Sequence, residues 1–565
     1  MHGIKINEIP TQLQSPAVSS TGIIVAIGSS PIHKAAEPLP LTKAGLFYKK
    51  AEVVKALGYD ENYTLSEVIN IVFDLYNVAP IVAINVFDPS KHFDEEEVIV
   101  GGITSTPFTI EEDIDVSTIA ITSGEYIEPT KLVAGTDYIC DAMNLHEGEA
   151  AVVAIELLST SKIEGGKFKV SYRRTRDALG GQPVIEEVNV SELEDNIWEL
   201  TDDTIIESVT VESGGVNTLR ELNLNEDYKV AYTGEEATIS LITDTKIVDD
   251  TITVKYHKMN PDKVTAEDII GGVDMATGAV TGLELIDSVQ PLYNLGGNFS
   301  IIAPKYSLNT KVAAALINKA RAVNGLFPSM AVIDIDAATY KNYQDAVVLK
   351  NSSNLNDSHL ILCYPMVKVD DKVQFLSTHI AALMNVVDND HDEIPYASPS
   401  NHILQISSAC LADGTEVYYS QDAANLLNDN GIVTVLSMYS LRAWGNRTAA
   451  YPASTDPREF FIPVRRMFNF ITAYLLQTYI STLDSPINRR FVESILQSAN
   501  IWLSALVAKG ALLNAELQFL EEDNSAAQIM NGELHFKLYI APPTPAESMV
   551  FDIEINPDYY SALFE

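Results

Sequence analysis

A chain of 565 residues exceeds what one ordinary core holds, and 46% hydrophobic with 20% charged residues is the composition of a folded protein, which excludes a disordered one. Against 77 Asp and Glu stand 37 Lys and Arg, a formal charge of −40, whose field repels polyphosphates and argues against nucleic acid as a direct partner. Cys140, Cys363 and Cys410 are scattered, which argues against a disulfide framework or a zinc knuckle. The opening MHGIKINEIP has no signal-peptide pattern and no apolar run approaches the roughly 18 residues of a membrane span, so assembly in the cytosol without membrane insertion is expected.

At the N-terminus Ile4 and Ile6 alternate with Lys5 and Asn7, the two-residue period of a short strand, and the Pro, Ser and Thr of residues 10–21 set it apart. The apolar stretch from Thr21 to Gly28 predicts a buried strand. From Leu41 to Phe87 helical and extended pieces alternate. Thr64 with Glu67 is a capping-box signal for a helix to about Leu75, and residues 81–87 are extended, an α/β rhythm. The acidic run from Asp94 to Glu97 then opens a stretch rich in Thr, Val, Ile and Tyr that lasts to about Lys258 and reads as a β-rich insert. Within it Lys162 and Ile163 precede Phe168–Tyr172 as Lys246 and Ile247 precede Ile252–Tyr256, and Asp137-Tyr138 is echoed by Asp227-Tyr228. Two similar β modules in tandem produce such an echo.

From Ala266 the α/β rhythm resumes, with strands at 299–303 and 329–334 around a helix from Lys311 to Val323. Val464, Phe468, Ile471 and Leu475, and then Phe491, Ile495, Ala499, Trp502 and Leu506, recur at spacings of three and four, which predicts two long amphipathic helices. Strands follow near 516–520 and 534–538. Behind the stiff spacer Pro542, Pro543 and Pro545, the residues Phe551, Ile553 and Ile555 share one face of a last strand, with Asp552 and Glu554 on the other. A lone strand can neither bury such a face nor pair its backbone, so both arms are expected to join sheets of neighbouring copies.

The expected fold class is therefore multidomain, α/β and α+β. An extended arm (1–20) leads to a mixed α/β core (21–92 and 259–454) interrupted by the β-rich insert (93–258). A C-terminal α+β domain (455–545) and a second arm (546–565) follow.

Catalytic and cofactor motifs are missing from the sequence. The stretch from Gly271 to Gly278 lacks the lysine and the glycine order of a phosphate loop, and no GxSxG, HExxH or CxxC occurs. The alternating carboxylates of Asp388-Asn-Asp-His-Asp-Glu393 resemble the start of a calcium loop, but Glu393 and Pro399 occupy the positions of its glycine and last glutamate, so a solvated loop is expected. The chain is read as a non-enzyme with no cofactor and no metal.

Residues 427–435, LNDNGIVTV, running into residues 441–449, LRAWGNRTA, resemble the signature of contractile tail sheath proteins. Three further stretches agree in order: 272–283, 396–401 and, together, 532–534 with 541–546. The resemblance covers roughly 21–86 and 266 to the C-terminus. It departs from the family at His391–Pro395, where an arginine-glycine turn and a tryptophan are usual, and in the insert. It implies a structural subunit of a virion tail or contractile particle, made in the bacterial host cytoplasm. Such subunits form hexameric rings or a helix around an inner tail tube protein, between baseplate and tail terminator proteins, and contract to drive the tube through the target envelope. It also implies that the C-terminal domain faces the tube, where Arg465, Arg466, Arg489, Arg490 and Lys509 are the candidate contacts, while the acidic insert is expected on the outside. Rival readings are a type VI-like secretion sheath, usually divided between two chains, and a β-rich adhesin or receptor-binding protein, suggested by the insert.

Overall fold

The computed structural model describes residues 22–101, 251–293, 298–353 and 355–563, with Ile242, Leu295 and the strand backbone between 102 and 241. Ile4 and Ile6 lie outside the described residues. The chain is mixed α/β with several sheets and divides into two units, one of Ile71–Val82, Ile286–Glu565 and the residues up to Val25, the other of Ala26–Asn70 and Ala83–Leu285.

The first unit is built on four parallel strands, Phe299–Ile302, Met330–Asp334, Leu360–Cys363 and Ile432–Met438, adjacent in that order. Every residue of the first three is buried. A strand covered on both faces has no polar side, which is why the sequence here shows apolar runs and not alternation. The strand Ile23–Gly28 enters this unit through Ile23, Ile24 and Val25, beside Phe299–Ile302. At the far edge Ile432–Met438 turns back through Tyr439, at φ 60°, into the antiparallel strand Ser440–Trp444. The helix Thr310–Arg321 buries Val312, Leu316, Ile317 and Ala320 on one side. Asn309 caps it by accepting the Lys311 N–H at 2.9 Å, and Lys319 and Arg321 lie at its negative end. The buried Lys350, in the helix Tyr343–Ser352, donates to the carbonyls of Asn430, at 2.5 Å, and Tyr451, tying that helix to the signature segment and to the residues just after it. Burial brings its pKa down to about 8.

Two long helices, Leu376–Asn389 and Ile462–Tyr479, meet at a buried ion pair. Arg466 and Asp388 are each 1% exposed; Arg466 Nη1 donates to Asp388 Oδ1 at 2.9 Å and Nη2 to Oδ2. This corrects two expectations. Arg466 faces the interior and is no surface cation, and Asp388 belongs to a helix and a buried pair, not to a solvated loop. Gly22 lies directly on the pair. At φ +72° its Cα approaches so closely that a Cβ would stand 2.4 Å from Asn385 Oδ1 and 2.9 Å from Asp388 Oδ2. Its N–H donates to the Asn298 carbonyl at 3.2 Å.

The short strand Gly45–Phe47 of the second unit borders Ile81–Asn85, a strand that passes from the first unit into the second after Val82. The carboxamide of Asn85, at the end of that strand, accepts the N–H groups of Ser30 and Phe87 at 2.9 and 3.0 Å and donates to the Phe87 carbonyl, which satisfies a buried polar side chain. The helix Thr64–Ile69 continues with π-type hydrogen bonding over Asn70–Leu75, entering the first unit at Ile71, but the capping box is corrected. Tyr63 is the N-cap, and the Thr64 hydroxyl instead accepts the Ser29 N–H at 3.0 Å. The stretch from Gly271 to Gly278 is a hairpin loop in which Asp274 accepts from Ala276 N–H and the Thr277 hydroxyl, at 2.8 and 2.5 Å.

Strands alone are described through the insert, which enters and leaves by one ribbon: Phe93–Gly101 pairs with Thr251–Met259 along all nine residues. At its foot the buried Asp94 carboxylate accepts from Asn260 Nδ2 at 2.8 Å and faces Lys263 Nζ at 2.5 Å, while Phe93 stacks on His257 with 3.5 Å between ring centres.

Removing one partner of a buried ion pair leaves the other charge without compensation. Arg466→Met is therefore expected to lower the stability of the first unit by about 3–5 kcal/mol, and Gly22→Ala to destabilise it as well, through strain and contact with Asn385. Arg489→Met, on an exposed position, should stay within about 0.5 kcal/mol. Denaturant unfolding of the three variants measures this ranking; an Arg466→Met midpoint equal to that of Arg489→Met contradicts it.

Candidate functional site

The C-terminal part of the first unit packs two helices and a two-stranded sheet around one apolar cluster. From the helix Ile462–Tyr479 come Met467, Phe470 and Ile471; from the helix Arg489–Ala508 come Ala499, Leu503 and Leu506; Ile394, Ala511, Leu512 and Leu517 complete it. Trp502 stacks on Tyr474 with ring centres 3.5 Å apart. The second helix is long and apolar enough to cross a membrane, yet its apolar stripe is engaged in this cluster.

The sheet pairs Asn514–Gln518 with Lys537–Ala541, in the register Glu516↔Tyr539 and Leu517↔Leu538. Such a small sheet depends on the helices beneath it. Its first strand is held by Asn500, whose Oδ1 accepts the Leu517 N–H at 2.8 Å and whose Nδ2 donates to the Leu517 carbonyl at 2.9 Å. Leu538 and Ile540 pack inward on the cluster, and Tyr539 is half-exposed.

Beyond Ala541 the chain runs through the proline spacer to Glu547, which is clamped. Arg447 Nε and Nη2 donate to its two carboxylate oxygens at 2.9 and 2.8 Å. The same guanidinium reaches Asp429 at 2.9 Å and lies 4.0 Å over the Tyr451 ring. A bidentate fork of this kind fixes direction as well as distance. Among the described residues the segment after it forms no strand, and Phe551, Ile553 and Ile555 are 80%, 94% and 73% exposed.

The expected cations do not form one surface. Arg466 is buried as described. Arg465 is half-buried, bonds Asn469 at 3.1 Å and lies over the Phe468 ring, with its pKa lowered by burial. Arg489 and Arg490 are exposed at the start of their helix, Arg489 bridging to Glu493 at 2.7 Å, and Lys509 pairs with Asp392 at 3.1 Å. The cluster 388–393 thus supplies partners to two of the five.

Among the described residues no group of His, Cys, Asp and Glu is placed to hold a metal. A cleft of about 450 Å³ opens at the carboxyl end of Met330–Asp334, lined by Ser307, Asp334, Asp336, Tyr340 and Arg321. Asp334 there is buried, accepts the Ser377 N–H at 2.9 Å and is pushed up to about 7 by desolvation. His379, in the adjoining helix, is wholly buried. Its Nδ1 meets the Tyr76 hydroxyl at 3.2 Å and its Nε2 meets Gln374 Oε1 at 3.0 Å, and burial brings its pKa down to about 3.

No family model matches the chain. A tail sheath protein of Burkholderia phage BcepMu is 32% identical over 323 residues, 54% of this chain and 65% of that protein. A putative prophage major tail sheath protein of Pseudomonas aeruginosa is 25% identical over 311 residues, 53% of this chain and 75% of that protein. The chain thus spans just under two thirds of the first relative's length and three quarters of the second's. Among solved structures, the crystal structure of a sheath tail protein from Desulfitobacterium hafniense aligns over 96% of this chain and 100% of that one, at 11% identity and a TM-score of 0.43. The sheath of the anti-feeding prophage in its contracted state aligns over 52% of this chain and 81% of that one, at 19% identity and a TM-score of 0.38. The sequence alignments relate the chain to structural proteins of contractile tails. By sequence the chain is a homologue of tail sheath proteins, the family that its motifs resemble.

A histidine kept neutral by burial, with its pKa below the unfolded value, makes stability fall with acidity, because only the unfolded chain takes up the proton. From pH 6.5 down to about 3, His379 should remove up to ~1.4 kcal/mol per pH unit. His379→Gln is expected to be less stable at pH 7 but to show a shallower decline below pH 6. Urea unfolding from pH 7 to 4.5 measures both slopes, and parallel profiles contradict the assignment.

Proposed function

We propose that the chain is the structural subunit of a contractile sheath, which polymerises helically around an inner tube and contracts to drive that tube through a target cell envelope. The observation that carries this reading is the C-terminal segment. Three large apolar side chains alternate with carboxylates, stand in solvent, and follow a root clamped to the body by Arg447. Burial of each such side chain stabilises an assembly by about 1.5–3 kcal/mol, a short-range gain of the kind needed against the repulsion of subunits charged −40. The homology to tail sheath proteins supports the same conclusion.

In this reading Phe551, Ile553 and Ile555 form a strand on a neighbouring copy, and Ile4 and Ile6 do so at the other end. Functionally, the same reading divides the chain into the arms, core, insert and C-terminal domain set out from the sequence, a division that differs from the two units of the fold. The insert as a tandem pair is supported by its strand order. Counted from Phe93–Gly101 to Lys167–Tyr172, strands fall in the larger (L) and smaller (S) sheets as L-S-L-L-S-S-L, and the next seven, to Thr251–Met259, repeat that order. It projects outward. The partners are further copies, the tube protein, and the baseplate and terminator at the two ends; assembly occurs in the host cytoplasm, with no enzyme activity, cofactor or nucleic acid involved. Arg489, Arg490 and Lys509 remain candidates for the tube-facing surface.

Two measurements test this. Removing Val550–Glu565 is expected to give soluble, folded monomers that no longer form tubes under electron microscopy, and normal tubes from the truncated chain overturn the role of the arm. Arg489→Glu with Arg490→Glu should impair co-assembly with the tube protein while leaving sheath-only polymers; unchanged co-assembly removes these residues from the tube surface.

A further inference from the structure

The proline spacer ahead of the C-terminal segment is held at both ends. At the near end the Ala541 carbonyl accepts the Leu513 N–H at 2.8 Å, which fixes the last residue of the strand Lys537–Ala541. At the far end Glu547 is gripped by Arg447, and the grip is built independently of Glu547. The main chain of Arg447 bridges to Phe461, its Nη1 donates to Asp429 at 2.9 Å, and its guanidinium lies 4.0 Å from the centre of the Tyr451 ring and 6.0 Å from that of Phe460. These contacts leave Nε and Nη2 aimed together at one carboxylate. The Arg447 side chain is 12% exposed and that of Glu547 28%, so the pair is shielded from most of the solvent that weakens surface ion pairs. From 548 to 557 the chain is exposed throughout.

A spacer pinned at two points is a strut, and its far anchor decides how widely the segment behind it can search. Phe551 follows Glu547 by four residues, a reach of at most about 14 Å; freed from Arg447 it would swing on the ten residues from Ala541, a reach of about 36 Å. The effective concentration of a tethered group falls as roughly the −3/2 power of tether length, so release dilutes the segment about four-fold at a receptor beside the strut. Reach also governs choice. Copies of one chain present identical surfaces, so chemistry cannot tell one neighbour from another and only position can. Resting on the strand-exchange reading above, we infer that Arg447 is a specificity-determining residue of assembly: its fork on Glu547 restricts the C-terminal segment to the one neighbouring copy beside the strut, whereas the released segment has several copies within range.

Glu547→Gln tests the inference in the full-length chain. It keeps the size of the side chain but removes the charge and one acceptor oxygen, and it leaves Arg447 with Asp429 and both rings, so the urea midpoint of the chain is expected to stay unchanged. Cys363 and Cys410 are buried, so a spin label can be directed to Ser548→Cys once Cys140→Ser is in place. In the soluble chain Glu547→Gln is expected to shorten the rotational correlation time of that label several-fold. In polymers, electron microscopy is expected to show one diameter and twist for the parent chain and a wide spread of both for Glu547→Gln, at a polymer yield within about four-fold of the parent's. Glu547→Asp keeps the carboxylate and is expected to restore a single diameter, which separates loss of the fork from loss of a surface side chain. Glu547→Gln tubes with the parent's diameter and twist, an equally immobile label, or Glu547→Asp polymers as irregular as those of Glu547→Gln overturn the assignment. If tubes form normally without Val550–Glu565, it is the strand-exchange reading itself that fails.

Discussion

The pair Arg466–Asp388 is the constraint on which the first unit turns. Two opposite charges in apolar surroundings attract strongly at contact and become very costly when separated, so the helices that carry them have one register and no neighbouring alternative. The helix Ile462–Tyr479 is tied to the sheet one turn further on, where Asn469 Nδ2 donates to the Ser329 carbonyl at 3.3 Å, just ahead of the strand Met330–Asp334. Gly22 closes the arrangement, because the chain can pass over the pair only without a side chain. A buried ion pair contributes little net stability compared with apolar packing, and its value here lies in holding one geometry.

Much of this architecture was legible in the sequence, for reasons that can be stated residue by residue. The runs that became Ile23–Gly28, Ile81–Asn85 and Met330–Asp334 are apolar without interruption, a pattern that a doubly covered strand requires and a surface strand does not. The spacing of Val464, Ile471, Ala499 and Leu506 gave both C-terminal helices within a few residues of their ends. What misled was charge. Arg466 was grouped with its neighbour Arg465 as a surface cation, although it stands one turn before Phe470 and one turn after Ile462, both buried, and so shares their face. The acidic cluster misled in the same way: Asp388 is the last inward position of a helix, and only the residues after it are a turn. Thr64 carried a valid capping signal, but a hydroxyl bonds whichever donor the fold brings near, and Ser29 is 35 residues away in sequence.

The most informative contacts of the candidate site had no local signal at all. Arg447 and Glu547 are separated by 100 residues, and nothing in the spacing of either announces the other. Arg447 does sit within the family signature, so a functional reason for that arginine could have been suspected, though not its partner. Asn500 is less accessible still. It occupies a helix position at which an asparagine is unremarkable, and its meaning appears only when Leu517 is seen to have no other partner on that side. Each fixes a segment of chain, Arg447 the root of the C-terminal segment and Asn500 the strand at Leu517, and neither needs an unusual pKa or a cluster to do so.

Charge explains why such contacts would have to be short-range. Residues 93–258 hold 35 Asp and Glu against 12 Lys and Arg, more than half of the whole chain's net charge in under a third of its length. The remainder is acidic but far closer to balance. At physiological ionic strength, repulsion between exposed charges fades within about 8 Å, so a dense negative region set apart from the packing faces, as proposed above for the insert, would oppose approach of copies at a distance without weakening contacts once made. The contacts themselves must then come from terms insensitive to salt and net charge. Main-chain hydrogen bonds along a strand edge and the burial of Phe551, Ile553 and Ile555 are such terms. In the strand-exchange reading proposed above they would also tolerate motion: an added strand would keep its bonds while the prolines at 542, 543 and 545 and the clamped Glu547 set how its own body turns about it, so that linkage and rearrangement would fall to different parts of the same chain.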